Sequence, residues 1–478
     1  MPVVAHAEPP FALSRGEGRR LARHAERAVR RARSRGESLA AVTVPVAGDV
    51  DPASVAFASR QGGEPVFVFE QPARRGAALA GLGCVRALEA EGPGRFRQVA
   101  ADWRALLAGS AADLDGPPAT GPVAVGGFAF AAQGASAPHW GRFPAASLHV
   151  PEVVLARRDG AVHLTLCALA TPDDTAQDLV ERLERRLASL SLAPLPMLDP
   201  SPAGAAPRVA STMPPEHYEA AVARAVERIK AGELEKIVLA REVAVHVPEP
   251  HDVPAIHGIL REAFPECFVF AVSRGGASFI AASPELLLRR DGLRVSTLAL
   301  AGSTRRSADP AVDDHLGEQL LRCDKDRAEQ AIVARRIERT LRPHAVWVTS
   351  APDPVVVKMA NIQHLATPIR AQLAEPRSAV ELAGLLHPTP AVGGEPFRVA
   401  SPLIPALEGL DRGWYAGPVG WTDASEDGEF CVALRSALLD GPVARCFAGV
   451  GVVADSDPAA ELAETEVKLQ ALLPVLAL

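Results

Sequence analysis

Hydrophobic positions along this chain follow two periods, and the switches between them mark its elements. Residues 19–33 set apolar side chains three and four apart among arginines and glutamates, which predicts an amphipathic helix. Residues 40–45 and 66–70 are short apolar runs and predict strands, and the Gly-rich apolar run 121–131 predicts a buried one. Residues 153–168 alternate on both sides of Asp159-Gly160, a good hairpin signal. Residues 173–190 return to helical spacing. Residues 191–215, dense in Pro, Ala and Ser, predict a linker, and no internal repeat is present.

Beyond the linker the texture changes. A helix is predicted over 214–230, with Glu216 and Glu219 near its start, and a strand over 235–243. Residues 279–288 form an apolar strand interrupted by Ser283-Pro284-Glu285, and 297–306 a strand ending in a small-residue turn. A long helix spans 320–341. The last pattern is a buried strand over 446–454, then Asp457-Pro458 and a helix over 459–469. Asp457 supplies a capping side chain, and the Pro458 ring suits the first helical position.

The 478 residues, 48% hydrophobic, allow a large core, and the length prior of roughly three domains is loose for α+β enzymes. A mild net charge of −7, no long basic run and 5% aromatics argue against a nucleic-acid partner. None of the six cysteines forms a C-x-x-C pair, so reduced cytoplasmic thiols are expected rather than zinc or disulfides. No signal-peptide core and no stretch of ~20 apolar residues is seen, so no membrane partner is expected. A monomer is the default expectation.

Some of the charged residues fall where chemistry needs them. Glu461 and Glu464 share a helix face, with Lys468 four residues beyond Glu464. This reads either as one wall of a polar site or as a solvated ion pair. Gly449-x-Gly451-x-x-Ala454 fits a loose dinucleotide fingerprint, but Asp455 and Asp457 would stand where a pyrophosphate must lie, and the chain ends before a second strand. Lys236 enters an apolar strand, as a snorkelling rim residue or a partly desolvated base. Glu285, bracketed by apolar residues, is an acid that keeps its proton or an exposed turn residue. Asp326 and Glu329 repeat the spacing of Glu461 and Glu464. Two such helices meeting would suit a hard divalent cation. His364 alone reads as a structural hydrogen-bonder. The Pro/Gly loop 387–394 suits backbone lining a pocket. Arg435, ending an apolar strand, calls for a carboxylate partner.

Taken in order, Lys236-Ile-Val-Leu-Ala-Arg241, Ser283-Pro-Glu285, Ala299-Leu-Ala-Gly-Ser303, Lys325-Asp-Arg-Ala-Glu329, His364-Leu, His387-Pro-Thr-Pro-Ala-Val-Gly-Gly394, Tyr415-Ala-Gly417, the run 430–435, and Ala448-Gly-Val-Gly451 with Glu461-x-x-Glu464-Thr465-x-x-Lys468 closely resemble the chorismate-utilising enzymes, and among them the isochorismate synthases. The strong motifs cover about 215–475; the earlier part matches only in size and general pattern. The resemblance implies an α+β fold with large antiparallel sheets flanked by helices. It implies residues 1–205 as an N-terminal part packing on a catalytic part, 206–478. It also implies a Mg²⁺-dependent site for chorismate. There Lys236 would activate water for attack at ring C2, and Glu285 would protonate the departing C4 hydroxyl. Glu329 and Glu461 would hold Mg²⁺ directly, with Asp326 and Glu464 acting through water. Tyr415, Arg435, Lys468 and the backbone at Gly449 and Gly451 would bind carboxylates, and Ala301, Gly302, Ser303, His364 and Ala391 would line the pocket.

The implied product serves menaquinone or siderophore biosynthesis, and the long N-terminal part looks more like the menaquinone branch. Salicylate synthase, the ammonia-using anthranilate and aminodeoxychorismate synthases, and a non-catalytic chorismate-binding relative are the alternatives. Retention of Lys236, Glu285 and all four acids speaks against the last. Ala391 stands where the ammonia-using and pyruvate-releasing relatives tend to carry threonine. Two departures from the family pattern are Gln330 for the usual His and Cys323 for a frequent Ser.

Overall fold

The computed structural model describes residues 11–198 and 206–478. Two antiparallel sheets of twelve and ten strands carry an α+β fold. The first sheet runs, edge to edge, Ser38–Val46, Ala161–Ala170, Val153–Arg158, Ala77–Leu82, Val66–Gln71, Phe268–Arg274, Ala277–Ser283, Ser436–Asp440, Val443–Val452, Lys236–His246 and Gly394–Glu395, with Arg208–Ser211 also on Lys236–His246. The second runs Ala345–Ser350, Ile362–Leu373, Arg294–Arg305, Leu286–Asp291, Gly428–Val432, Pro418–Asp423, Val123–Phe128, Ala146–Val150 and Arg86–Ala90, with Val355–Lys358 also on Ile362–Leu373.

Period-two alternation sorts side chains between cores. In Val66–Gln71, Phe67 and Phe69 join the largest core, which also takes Phe270 and Phe279 of the first sheet and Phe128, Leu288 and Phe430 of the second. Val66 and Val68 face the other way, into a core closed by the helices Arg15–Arg35 and Ala176–Ala188 through Leu21, Ala25, Leu179 and Leu183. The first of these helices opens with a capping box, in which Ser14 and Glu17 satisfy each other's backbone N–H groups. The Asp159-Gly160 hairpin forms as expected, both residues having the positive φ (50° and 84°) that suits the twist of a two-residue turn.

Strands on either side of residue 205 are interleaved in both sheets. Val66–Gln71 pairs with Phe268–Arg274 in the first, and Val123–Phe128 pairs with Pro418–Asp423 in the second. The expected linker 191–215 is described except for 199–205, and part of it packs: Leu198 lies against a core and Leu195 against Gly258.

Two elements differ from the sequence reading. The helix expected over 320–341 is two, Pro310–Arg322 and Asp324–Leu341. Cys323, at φ −71° and ψ 114°, is extended between them and caps the second, its thiol against the Asp326 carboxyl. The small-residue turn is a bulge inside Arg294–Arg305: the register slips between Ala301 and Ser303 at Gly302, whose φ of 70° a side chain would strain. Among the described residues no helix is long and apolar enough to cross a membrane.

Candidate active site

The site lies where the chain twice crosses from one sheet to the other. Ala277–Ser283 ends in the first sheet, Leu286–Asp291 begins in the second, and Pro284-Glu285 bridge them. Pro284 has no backbone N–H to continue the first ladder, which favours the break. The return is Ala433-Leu434-Arg435, between Gly428–Val432 and Ser436–Asp440. Backbone bonds tie the crossings together: Val432 N–H donates to the Glu285 carbonyl at 3.0 Å, and Ala282 N–H to that of Arg435 at 3.2 Å.

At the first crossing the Glu285 side chain is sealed off, 3% exposed. Burial pushes its carboxyl up to about 8, against the opposing charges of Lys236 and Lys468. At the second, Arg435 holds a left-handed φ of 47°, uncommon for a side-chain-bearing residue. Its Nη2 donates to His364 Nε2 at 2.6 Å, and His364 Nδ1 in turn meets the Gly302 carbonyl at 3.2 Å. That pairing makes Nδ1 the protonated ring nitrogen. Burial, then the Arg435 and Lys468 charges, holds the imidazole well below its ordinary range. The protein partner of Arg435 is this neutral imidazole, which the register of Ile362–Leu373 brings opposite Ser303. Arg435 Nη1 is buried without a hydrogen-bond partner among the described residues. An orphan guanidinium N–H lining a cleft is an anion-binding group.

Lys236 is no rim residue. It is 0% exposed and its Nζ lies 2.8 Å from Glu329 Oε1. The distance marks an ion pair, but among the described residues the amine lacks a well-directed hydrogen bond. Lys236–His246 pairs with Val443–Val452, and Gly451 is opposite Val238. A Cβ on Gly451 would fall on Glu329 Oε1 and come within 2.8 Å of Lys236 Cε, so only glycine lets the lysine and the helix carboxylate meet. Two residues earlier, a Cβ on Gly449 would lie 2.9 Å from the Tyr415 hydroxyl, whose pKa burial raises.

The four expected metal-site acids come from Asp324–Leu341 and Pro458–Leu469. The second helix starts as its sequence predicts, Asp457 accepting from Ala460 N–H at 2.9 Å and Pro458 following. Glu461 is 2% exposed and accepts from Lys325 Nζ at 2.7 Å. Glu464 accepts from Ser303 Oγ at 2.7 Å and pairs with Lys468 Nζ at 2.8 Å; that amine also donates to the Gly449 carbonyl at 3.0 Å. The Glu464–Lys468 ion pair is thus present, and it lines the cleft. Burial, together with neighbouring carboxylates, raises Asp326 and Glu461. Glu464 is lowered, because Lys468 and Ser303 outweigh its burial. Among the described residues no three of these acids converge closely enough to ligate one ion. The donor set is nonetheless all carboxylate oxygen, and the mutual crowding of the acids is of the kind a hard cation relieves.

The cleft lining takes in Glu285, Ala301, Gly302, Ser303, Glu329, His364, Ala391, Tyr415, Arg435, Gly449, Gly451, Glu464 and Lys468. Lys236, Asp326 and Glu461 stand behind that surface. Sequence reasoning missed the apolar walls Val238, Leu300, Val392, Leu434 and Phe447, which carry no polar signal, and Arg412. Arg412 is buried with Glu408 and donates to the Val392 and Val238 carbonyls at 2.7 and 3.0 Å, fixing two walls at once. Gln330, beside Glu329, points away from the cleft: its Nε2 donates to the Ala299 carbonyl and to Thr367 Oγ1.

A family model described as "Chorismate binding enzyme" matches residues 24–477. The chain is 37% identical over 424 residues to the salicylate biosynthesis isochorismate synthase of Pseudomonas aeruginosa, covering 88% of this chain and 87% of that protein. It is 34% identical over 358 residues to the isochorismate synthase MenF of Bacillus subtilis, 75% of each. The fold superposes on the menaquinone-specific isochorismate synthase MenF from Escherichia coli with a TM-score of 0.76 at 26% identity, over 96% of this chain and 100% of that one. With anthranilate synthase component I from Streptococcus pneumoniae, at 21% identity and a TM-score of 0.59, it shares the fold alone.

Proposed function

The chain belongs to the chorismate-binding enzyme family, and from that premise we propose that it is an isochorismate synthase. The reaction adds water at C2 of the chorismate ring and expels the C4 hydroxyl. One step needs a base and the other an acid at a single pH, so the two groups must sit in different environments. The observation that carries the proposal is Glu285. Its sealed carboxyl, held at about 8, still owns its proton at neutral pH and lies within reach of the charges of Lys236 and Lys468.

In this reading the amine of Lys236 acts in its neutral form, its own proton already released; Nζ then takes the proton of the attacking water, and Glu285 gives its proton to the leaving hydroxyl. Chorismate is a dianion. Arg435 Nη1, without a hydrogen-bond partner among the described residues, receives one carboxylate, and His364 holds the guanidinium in place through Nη2. Lys468, anchored on Glu464 and the Gly449 carbonyl, adds positive charge on the same wall. The apolar walls keep bulk water away from the ring. Ala391 offers no hydroxyl to the ring.

The acid set suits Mg²⁺. Glu329 and Glu461 would hold it directly and Asp326 and Glu464 through water, and the bound ion supplies a positive anchor for a substrate carboxylate. One relative is named for salicylate biosynthesis and one solved structure for menaquinone, and both names share isochorismate synthase. Chromatography of purified protein incubated with chorismate and Mg²⁺ tests the assignment. Isochorismate is expected as the main early product. Stoichiometric salicylate and pyruvate, or anthranilate when ammonium is supplied, would overturn it.

A further inference from the structure

Three lysines face the acid set, one to each glutamate: Lys236 to Glu329 at 2.8 Å, Lys468 to Glu464 at 2.8 Å, and Lys325 to Glu461 at 2.7 Å. They are not equivalent. Lys236 is fully buried inside a strand, and Lys468 is held by a second bond to the Gly449 carbonyl. Among the described residues the Lys325 amine bonds only Glu461, and its side chain is 32% exposed while that of Glu461 is 2%. Lys325 also lies in the first turn of its helix, between Asp324 and Asp326, where the helix dipole disfavours a cation. Nothing in the helix itself holds the amine there; the acids do. A buried carboxylate without a counter-charge is costly, and one shared by a lysine and a metal ion brings two cations together.

We propose that Lys325 is a built-in counter-ion that neutralises Glu461 until a divalent cation arrives, then withdraws to solvent. This rests on the metal reading given above. It makes cation binding an exchange: one carboxylate loses an ammonium and gains a metal, and the freed side chain rotates outward on an exposed turn. The lysine keeps the acid helix in place when the metal is absent, and weakens metal affinity as it does so.

The experiment uses the full chain and two readouts that do not depend on turnover. In the first, Mn²⁺, which shares the oxygen preference of Mg²⁺, is titrated into wild-type and Lys325→Met protein, without and with chorismate. Free Mn²⁺ is followed by electron paramagnetic resonance. Lys325→Met is expected to bind Mn²⁺ at least about tenfold more tightly, the size of coupling typical of linked sites. In the second, wild-type protein is reductively methylated in chelator and in saturating Mg²⁺, and modification at Lys325 is read by mass spectrometry. It is expected to rise several-fold with Mg²⁺. Unchanged or weaker Mn²⁺ binding by the variant, or Mg²⁺-independent labelling, overturns the counter-ion role while leaving the metal site standing. Wild-type protein that takes up no Mn²⁺ even with chorismate overturns the metal reading itself, and this proposal with it.

Discussion

Glu285→Gln separates what the buried acid does for catalysis from what it costs the fold. The two side chains match in shape, but the amide is neutral at every pH. In the folded protein the carboxyl titrates at about 8 against an ordinary 4.5, so between those values the folded state binds the extra proton. Stability is therefore full below the ordinary value and declines as pH rises, by about 1.4 kcal/mol per pH unit, until the folded-state value is passed. The accumulated loss is about 3 kcal/mol at neutral pH and about 5 kcal/mol in the alkaline plateau. The amide variant escapes it. Its stability relative to wild type should climb by about 4 kcal/mol between about pH 5 and about pH 9, roughly 4 °C in melting temperature for a chain of 478 residues. Thermal melts of both proteins across that range measure it. Parallel curves would refute the assignment of the proton to Glu285. Turnover moves the opposite way: the variant loses about 10²-fold or more at every pH, and wild-type turnover falls as pH rises through about 8.

Lys236→Ala should lower turnover by at least about 10²-fold and destabilise by about 3 kcal/mol, because Glu329 is left without its partner. A variant with near-normal rates on chorismate would remove the lysine from the mechanism. Chelation should abolish activity and added Mg²⁺ restore it, with Glu329→Gln and Glu461→Gln shifting the Mg²⁺ titration to higher concentration; full activity in excess chelator would contradict the acid-cluster reading. Ala391→Thr returns a hydroxyl to the wall facing the ring, and a coupled pyruvate assay should register release that wild type lacks. An unchanged product would place selectivity elsewhere.

Much of this was legible in the sequence wherever the signal is local. The hairpin at Asp159-Gly160, the Asp457-Pro458 helix start and the shared face of Glu461 and Glu464 follow from neighbours within a turn. The missing parts depend on residues distant in sequence. Pro284 marks a break, but a change of sheet is decided by pairing with Val432 and Cys431. The burial of Lys236 depends on a helix closing over it through the gap at Gly451. The partner of Arg435 depends on the register of another strand. Cys323 interrupts a helix with neither glycine nor proline to announce it.

The interleaving of strands across 199–205 has a consequence for any attempt to divide the chain. A gene fragment that begins at residue 206 carries every charged group of the cleft, yet it strips a neighbour from Phe268–Arg274 in one sheet and from Pro418–Asp423 in the other. Both strands are almost wholly buried. Each would become a long, apolar, unpaired edge, the template on which β-aggregation begins. Such a fragment should collect in inclusion bodies when made alone and become soluble only when the first 198 residues are made beside it. The N-terminal part thus covers two strand edges that the half carrying the cleft's charged groups would otherwise leave open.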